Sequence, residues 1–201
     1  MYLATTDEGN ELLARDPLAL LIGMLLDQQI PIEKAFTSPS VLAERLGVPR
    51  LSALALAEME PTVLAEIFRR PPALHRYPVA MAERTQAICR ALVERYDADA
   101  AAVWRSATAG ADLVARIGEL PGFGVQKAAI FAALLGKQFG VQPDGWRAAT
   151  GDYGLDGYRS IADVVDAGSL NRVRAFKQEK KAAARLQGPT PTVRARRTRS
   201  R

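Results

Sequence analysis

Leu120–Asp144, LPGFGVQKAAIFAALLGKQFGVQPD, is the stretch that most constrains what this chain can fold into. It opens on a turn that neither a helix nor a strand passes through unbroken. Pro121 fixes φ and has no N–H, while Gly122 and Gly124 reach conformations closed to residues with a Cβ. An apolar helical run follows from about Val125 to about Gln138, with Ala128, Phe131, Ala132 and Leu135 on one face. Gly136 and Gly140 are expected to loosen its end. The stretch closes on a carboxylate, Asp144, 18 residues after Gln126. Bare glycines ahead of a helix let backbone N–H groups approach an anion closely, where the helix dipole favours negative charge. The same glycines also serve simply to join two helices.

The rest of the chain supplies helices for that hairpin to pack against. Hydrophobic residues make up 48% of 201 positions, and Ala, Leu and Arg abound while β-branched runs are few. That balance favours an all-α fold. The longest apolar run, Pro17–Leu26, stops at Asp27, short of the roughly 18 residues that span a bilayer. The N-terminus lacks a basic region followed by an apolar core, so a cytoplasmic protein is expected, nucleoid-associated if bacterial. Cys89 is the only cysteine. It permits no internal disulfide and no four-cysteine zinc or iron–sulfur site, and its apolar helical position predicts a buried, inert thiol. His75 is the only histidine, which disfavours a histidine metal centre or a Ser-His-Asp triad.

In chain order, Asp7 or Asn10 can cap a helix to about Arg15, and Asp16 caps a second helix with Pro17 at its first position. That helix, 17–29, is apolar nearly all round and is expected to be central in its lobe. Pro31–Phe36 reads as a short helical turn, and Ser38 or Ser40 caps a separate piece over 41–46 that stops at Gly47. Further helices are expected over 51–57, 61–68, 79–96, 100–105 and 112–119. After Asp144, the pattern predicts a turn of helix over 146–150, a Gly/Tyr-rich loop over 151–159, a helix over 161–167 capped by Ser160, and a last one starting near Ser169. Residues 188–201 read as a disordered basic tail.

Charge is distributed unevenly. Residues 172–201 hold eleven Lys/Arg against one acid, Glu179, and are net +10. Residues 1–171 hold sixteen against twenty-one and are net −5. Basicity concentrated at one end points to a polyanion partner, or to a solvated tail.

The order of these features resembles the helix-hairpin-helix DNA glycosylase superfamily of base-excision repair, over about 17–185. Three features carry the resemblance: LPGFG opening an apolar helix, Asp144 at 18 residues beyond Gln126, and the apolar helix running into Gln28-Gln29. The resemblance implies a two-lobed helical fold with a cleft between lobes. The central lobe would be 17–139, and the second lobe 1–16 together with 140–187. It also implies DNA containing a lesion as partner, a monomer, and Asp144 as the catalytic carboxylate. Such a group stabilises the positive charge that grows on deoxyribose as the base leaves, and it guides water. The base must leave the stack to be reached. Gly122, Phe123 and Gly124 would hold the DNA backbone, with Gln126 and Lys127 beside them. Gln28 and Gln29 would fill the gap left by a flipped base, or form a helix-end pair. Hairpin carbonyls of Gly118, Leu120 and Phe123 would hold Na⁺ or K⁺.

Departures from the family pattern narrow the expected reaction. Bifunctional members carry a nucleophilic lysine where Gln126 stands here. Lys127 is one residue along and should face elsewhere, since a helix turns about 100° per residue. A monofunctional glycosylase without a Schiff base is expected. Met24 stands where adenine glycosylases have a catalytic glutamate, and the C-terminal cysteine cluster of endonuclease III is absent, so no iron–sulfur cluster is expected. Trp146 and Tyr153 are candidates for the base pocket, with core packing the alternative for Trp146. Asp27 is expected to be solvated or capping, because a carboxylate facing DNA repels phosphate. Arg194, Arg196 and Arg197 of the tail suit sequence-independent attraction to phosphates. The alternative function is a DNA-binding or damage-sensing helix-hairpin-helix module without catalysis.

Overall fold

The computed structural model describes residues 1–186; the expected tail at 188–201, with Arg194, Arg196 and Arg197, lies outside the described residues. Among the described residues the chain is all-α, with eleven α-helices, two short 3₁₀ turns and no strand. No helix there is long and apolar enough to cross a membrane.

The N-terminal half builds around one buried helix. Helix α1 (Asp7–Arg15) is capped by Thr6, whose Oγ1 accepts the Gly9 N–H at 3.1 Å. Neither expected cap serves. Asn10 lies inside the helix and reaches back to accept the Leu3 and Ala4 N–H groups at 2.8 and 3.0 Å, which ties down the polar lead. Helix α2 (Pro17–Leu26) has Asp16 as its N-cap and buries Leu18 through Leu26 without interruption. The buried Asp16 carboxylate also accepts the Leu51 N–H at 2.9 Å, so one cap fixes two segments. Helix α2 ends three residues sooner than its pattern indicates. Gln29 takes φ +56°, a left-handed conformation no helix continues through.

Helix α3 (Ile32–Leu46) is a single helix where two pieces are expected. Pro39 sits inside it and removes one backbone donor. Tertiary packing outweighs that loss, since Ala35, Phe36, Leu42 and Ala43 are all buried. Ser38 caps nothing; its buried hydroxyl bonds the carbonyls of Lys34 at 2.8 Å and Leu74 at 2.7 Å. Helices α4 (Ala53–Glu58) and α5 (Pro61–Arg69) both pack on the long α6 (Pro78–Tyr96), and α2 is flanked by α1, α3 and α6.

Helix α7 (Ala102–Arg105) leads into the hairpin formed by α8 (Gly110–Gly118) and α9 (Val125–Gln138). Helix α10 (Trp146–Ala149) and the 3₁₀ turns at Gly151–Gly154 and Ile161–Asp163 pack against α9. The helix expected over 161–167 shrinks to the second of these turns. A capping box between Ser160 and Asp163 closes it, and Lys137 holds the Asp163 carboxylate. Helix α11 (Ala167–Leu186) starts with a similar reciprocal pair: Asp166 Oδ1 accepts the Ser169 N–H at 2.7 Å, and Ser169 Oγ accepts the Asp166 N–H at 2.9 Å. Ser169 is thus the inner member of the pair and Asp166 the cap. One contiguous buried cluster runs from Leu3 to Val173, taking side chains from both halves of the chain.

Candidate functional site

The hairpin turn is seated on the end of α2. Gly122 takes φ +83°, and a Cβ there would stand 2.6 Å from Leu25 Cδ1. A larger residue is excluded twice, by backbone strain and by a fully buried leucine. The Phe123 N–H closes the turn onto the Leu120 carbonyl at 3.0 Å. Phe123 itself is buried, its ring 6.0 Å from that of Phe131, which meets Trp104 edge-on at 5.7 Å. The side chain expected at DNA therefore anchors the hairpin in the core, leaving only its backbone at the turn. Gly124 differs from Gly122: its φ is −105°, and a Cβ would find nothing within 4 Å. Helix α9 starts there, and among the described residues no side chain caps its first N–H groups. The open face around Gly124 and exposed Val125 leaves those donors accessible.

Beside the turn lies a cleft of about 670 Å³, walled by the end of α2, the start of α3, the first turns of α9 and one side of α11. Gln126 and Lys127 both line it, together with Ile130. The expectation that Lys127 faces elsewhere fails because the cleft wraps around α9 and takes in adjacent residues, so a turn of about 100° does not leave it. Lys127 Nζ donates to the carbonyls of Met24 at 3.0 Å and Leu25 at 2.9 Å. A cation thus caps the C-terminus of α2, where the helix dipole favours it. Burial pushes the Lys127 amine down to about 8; Asp27 opposes that shift and Arg84 adds to it.

Asp27 is the carboxylate of this cleft. Burial raises its pKa, against the attraction of Lys177 and Lys127. Asp27 is the C-cap of α2, its backbone N–H donating to the Gly23 carbonyl at 3.1 Å, while its half-buried carboxylate makes no side-chain hydrogen bond among the described residues. Arg174 and Lys177 bring positive charge from α11, and Arg174 pairs with Glu33 of α3.

The two glutamines differ. Gln28 is tied into the protein: Nε2 donates to the Leu25 carbonyl at 2.8 Å, and Oε1 accepts from Arg84 at 3.0 Å. Its carbonyl meets His75 Nε2 at 2.9 Å. His75 Nδ1 accepts the Tyr77 N–H at 3.0 Å, so Nε2 carries the proton, and burial lowers the pKa of the ring. Gln29 is exposed, and among the described residues only a long 3.5 Å contact from Tyr77 reaches its amide oxygen. Of the pair, Gln28 has the structural role and Gln29 is free to meet a ligand.

Asp144 does not join this group. It is exposed, its carbonyl accepts the Gly110 N–H at 2.8 Å, and the cleft is built without it. Trp146, two residues on, lays its ring over Gly136, where a Cβ would come within 2.5 Å of it. Gly136 is ten residues from Gln126, about 15 Å of helix rise. The chain after α9 stays by the start of α8, where Asp144 meets Gly110, and does not bring Asp144 to the hairpin turn. Trp146 is accordingly a packing residue, and Gly136 is its seat rather than a loosened helix end. Tyr153 does approach: its hydroxyl accepts from Gln126 Nε2 at 2.8 Å, and both residues line a smaller cavity of about 160 Å³ next to the main cleft.

The structure thus brings together Gln29, Gln126, Lys127 and Tyr153, keeps Gln28 and Phe123 as supports, and leaves Asp144 and Trp146 apart. The sequence reading sets Asp27 aside as solvated or capping and does not single out Arg174 or Lys177. The adjacency of Asp27 to Gln28 was the signal for the first; nothing local marks the α11 cations, whose place depends on how that helix docks. For metals, the described residues hold no cluster of three or more His, Cys, Asp or Glu. The hairpin carbonyls of Gly118, Leu120 and Phe123 are the uncharged oxygens a monovalent cation takes, and Leu120 keeps a second lone pair beside its turn bond. Comparison with protein-family models, with curated proteins and with solved structures finds no match for the chain.

Proposed function

We propose that this chain is a monofunctional DNA glycosylase that removes a damaged or mismatched base by hydrolysing its N-glycosidic bond. One observation carries the reading: a Gly-turn hairpin, with its backbone N–H groups open at Gly124, stands directly beside a ligand-sized cleft holding a carboxylate and the exposed Gln29 carboxamide. The first part suits a phosphate, which fixes register along a strand. The second suits a nucleobase out of the stack. Gln29 and Gln126 offer donors and acceptors for its edge, while Met24, Ile30 and Ile130 offer apolar walls. Cations on α11 favour DNA along the same rim. A monovalent cation on the hairpin carbonyls would neutralise phosphate charge at the turn. Lys127 is held against two carbonyls, which supports base removal without a covalent lysine intermediate.

The exposed position of Asp144, away from the cleft, favours a second reading: a helix-hairpin-helix module that binds damaged DNA without catalysis. Duplexes carrying one lesion each, incubated with the protein and then with alkali, separate the two. Strand breaks at a lesion support the glycosylase. Binding to every duplex with no break on any of them supports the module.

A further inference from the structure

Resting on the glycosylase reading, we propose that Asp27, at the end of α2, is the carboxylate that activates water in the cleft, with Lys127 as its positioning partner.

Of Asp27, Asp144, Asp152 and Asp156, Asp27 alone meets three geometric requirements. It lines the cleft that adjoins the hairpin, whereas Asp144 is exposed at the other end of α9. It is partly buried and carries no side-chain hydrogen bond among the described residues, so both oxygens are available to a ligand or to water. Its backbone is fixed: its N–H donates to the Gly23 carbonyl at 3.1 Å, and the next residue, Gln28, is locked by Arg84 and His75.

Lys127 holds the wall opposite. With two donors on the carbonyls of Met24 and Leu25, it joins the hairpin helix to the last turn of α2, just before Asp27 reaches the cleft. That link sets the distance between the phosphate-binding turn and the carboxylate. A carboxylate in these surroundings is also less solvated than a surface one, which makes it a better base for water.

In the hydrolysis, a water oxygen bonds to C1′ of the deoxyribose while the C1′–N bond breaks, and that electron pair leaves with the base. The Asp27 carboxylate takes the proton released by the water. The departing base nitrogen takes a proton from solvent, and Asp27 returns its own to solvent. The ionised carboxylate also faces the positive charge that develops on the sugar before the water bond completes.

The test uses the full chain and the lesion duplex on which the wild type is active. Asp27→Asn should lower single-turnover base release at least ~100-fold, while affinity for the lesion duplex stays within about threefold. Formate should restore part of the release in Asp27→Ala, a readout a purely structural residue would not give. Asp152→Asn, a carboxylate in the loop after α10, serves as control and keeps its rate. Retained binding in both Asp27 variants establishes that they fold. An Asp27→Asn variant with wild-type release, or one in which Asp144→Asn alone abolishes release, overturns the assignment and leaves the glycosylase reading standing. Wild-type protein that frees no base from any duplex overturns both.

Discussion

Gly122 and Gly124 look equivalent in the sequence and are not. At Gly122, a φ of +83° and the nearness of Leu25 both oppose a side chain. Gly122→Ala should destabilise the fold by about 1–3 kcal/mol, read from the urea midpoint. At Gly124 a methyl group meets only open space, so Gly124→Ala should change stability by less than about 1 kcal/mol. If the open N–H groups meet a phosphate, the same variant should bind duplex DNA several-fold more weakly; unchanged binding would remove Gly124 from the interface. Lys127 allows a different measurement. Its amine titrates near 8 in the fold against 10.5 when unfolded, so between those values the unfolded chain binds more protons. Stability attributable to Lys127 therefore rises with pH from about 8 to about 10.5. Comparing denaturation of the wild type with Lys127→Met across that range should show the rise only in the wild type.

Individual elements show where local rules gave way to packing. The pattern around Pro39 reads as a helix break, yet α3 runs through it because its apolar face is buried along α2 and α1. Hydrophobic burial of about 1.5–3 kcal/mol per large side chain outweighs one missing hydrogen bond. In α9, Gly136 has the opposite lesson. A glycine near a helix end reads as fraying, but the Trp146 ring occupies the space its side chain would take. Gly136→Val should therefore displace the indole, cost about 1–3 kcal/mol, and shift tryptophan emission to longer wavelength. An unshifted spectrum would mean that the ring finds another seat. The α8–α9 hairpin and the start of α9 agree with the sequence reading, because Pro121, Gly122 and the apolar period all act within a few residues.

Across the whole molecule, the charge asymmetry has a testable consequence. Residues 1–171 are net acidic, so under the proposed function attraction to DNA would have to come from the hairpin, α11 and the C-terminal arginines. Removing residues 188–201 takes away five arginines. This should weaken duplex binding and reduce the slope of log affinity against log salt by about 0.9 for each phosphate that the tail neutralises. Base release on saturating DNA should stay unchanged. An identical slope in the truncated chain would show that the tail takes no part. The helical class, the Asp16–Pro17 start of α2, the Gly47 stop, the Gly-turn hairpin and the buried Cys89 were all legible in the sequence, since each follows from residues close together in the chain. Which carboxylate stands in the cleft was not, because it depends on helix docking. Asp27, Lys127 and Arg174 are far apart in sequence and meet only where three helices come together, while Asp144, spaced as the resemblance requires, is carried away by the path of the chain after α9.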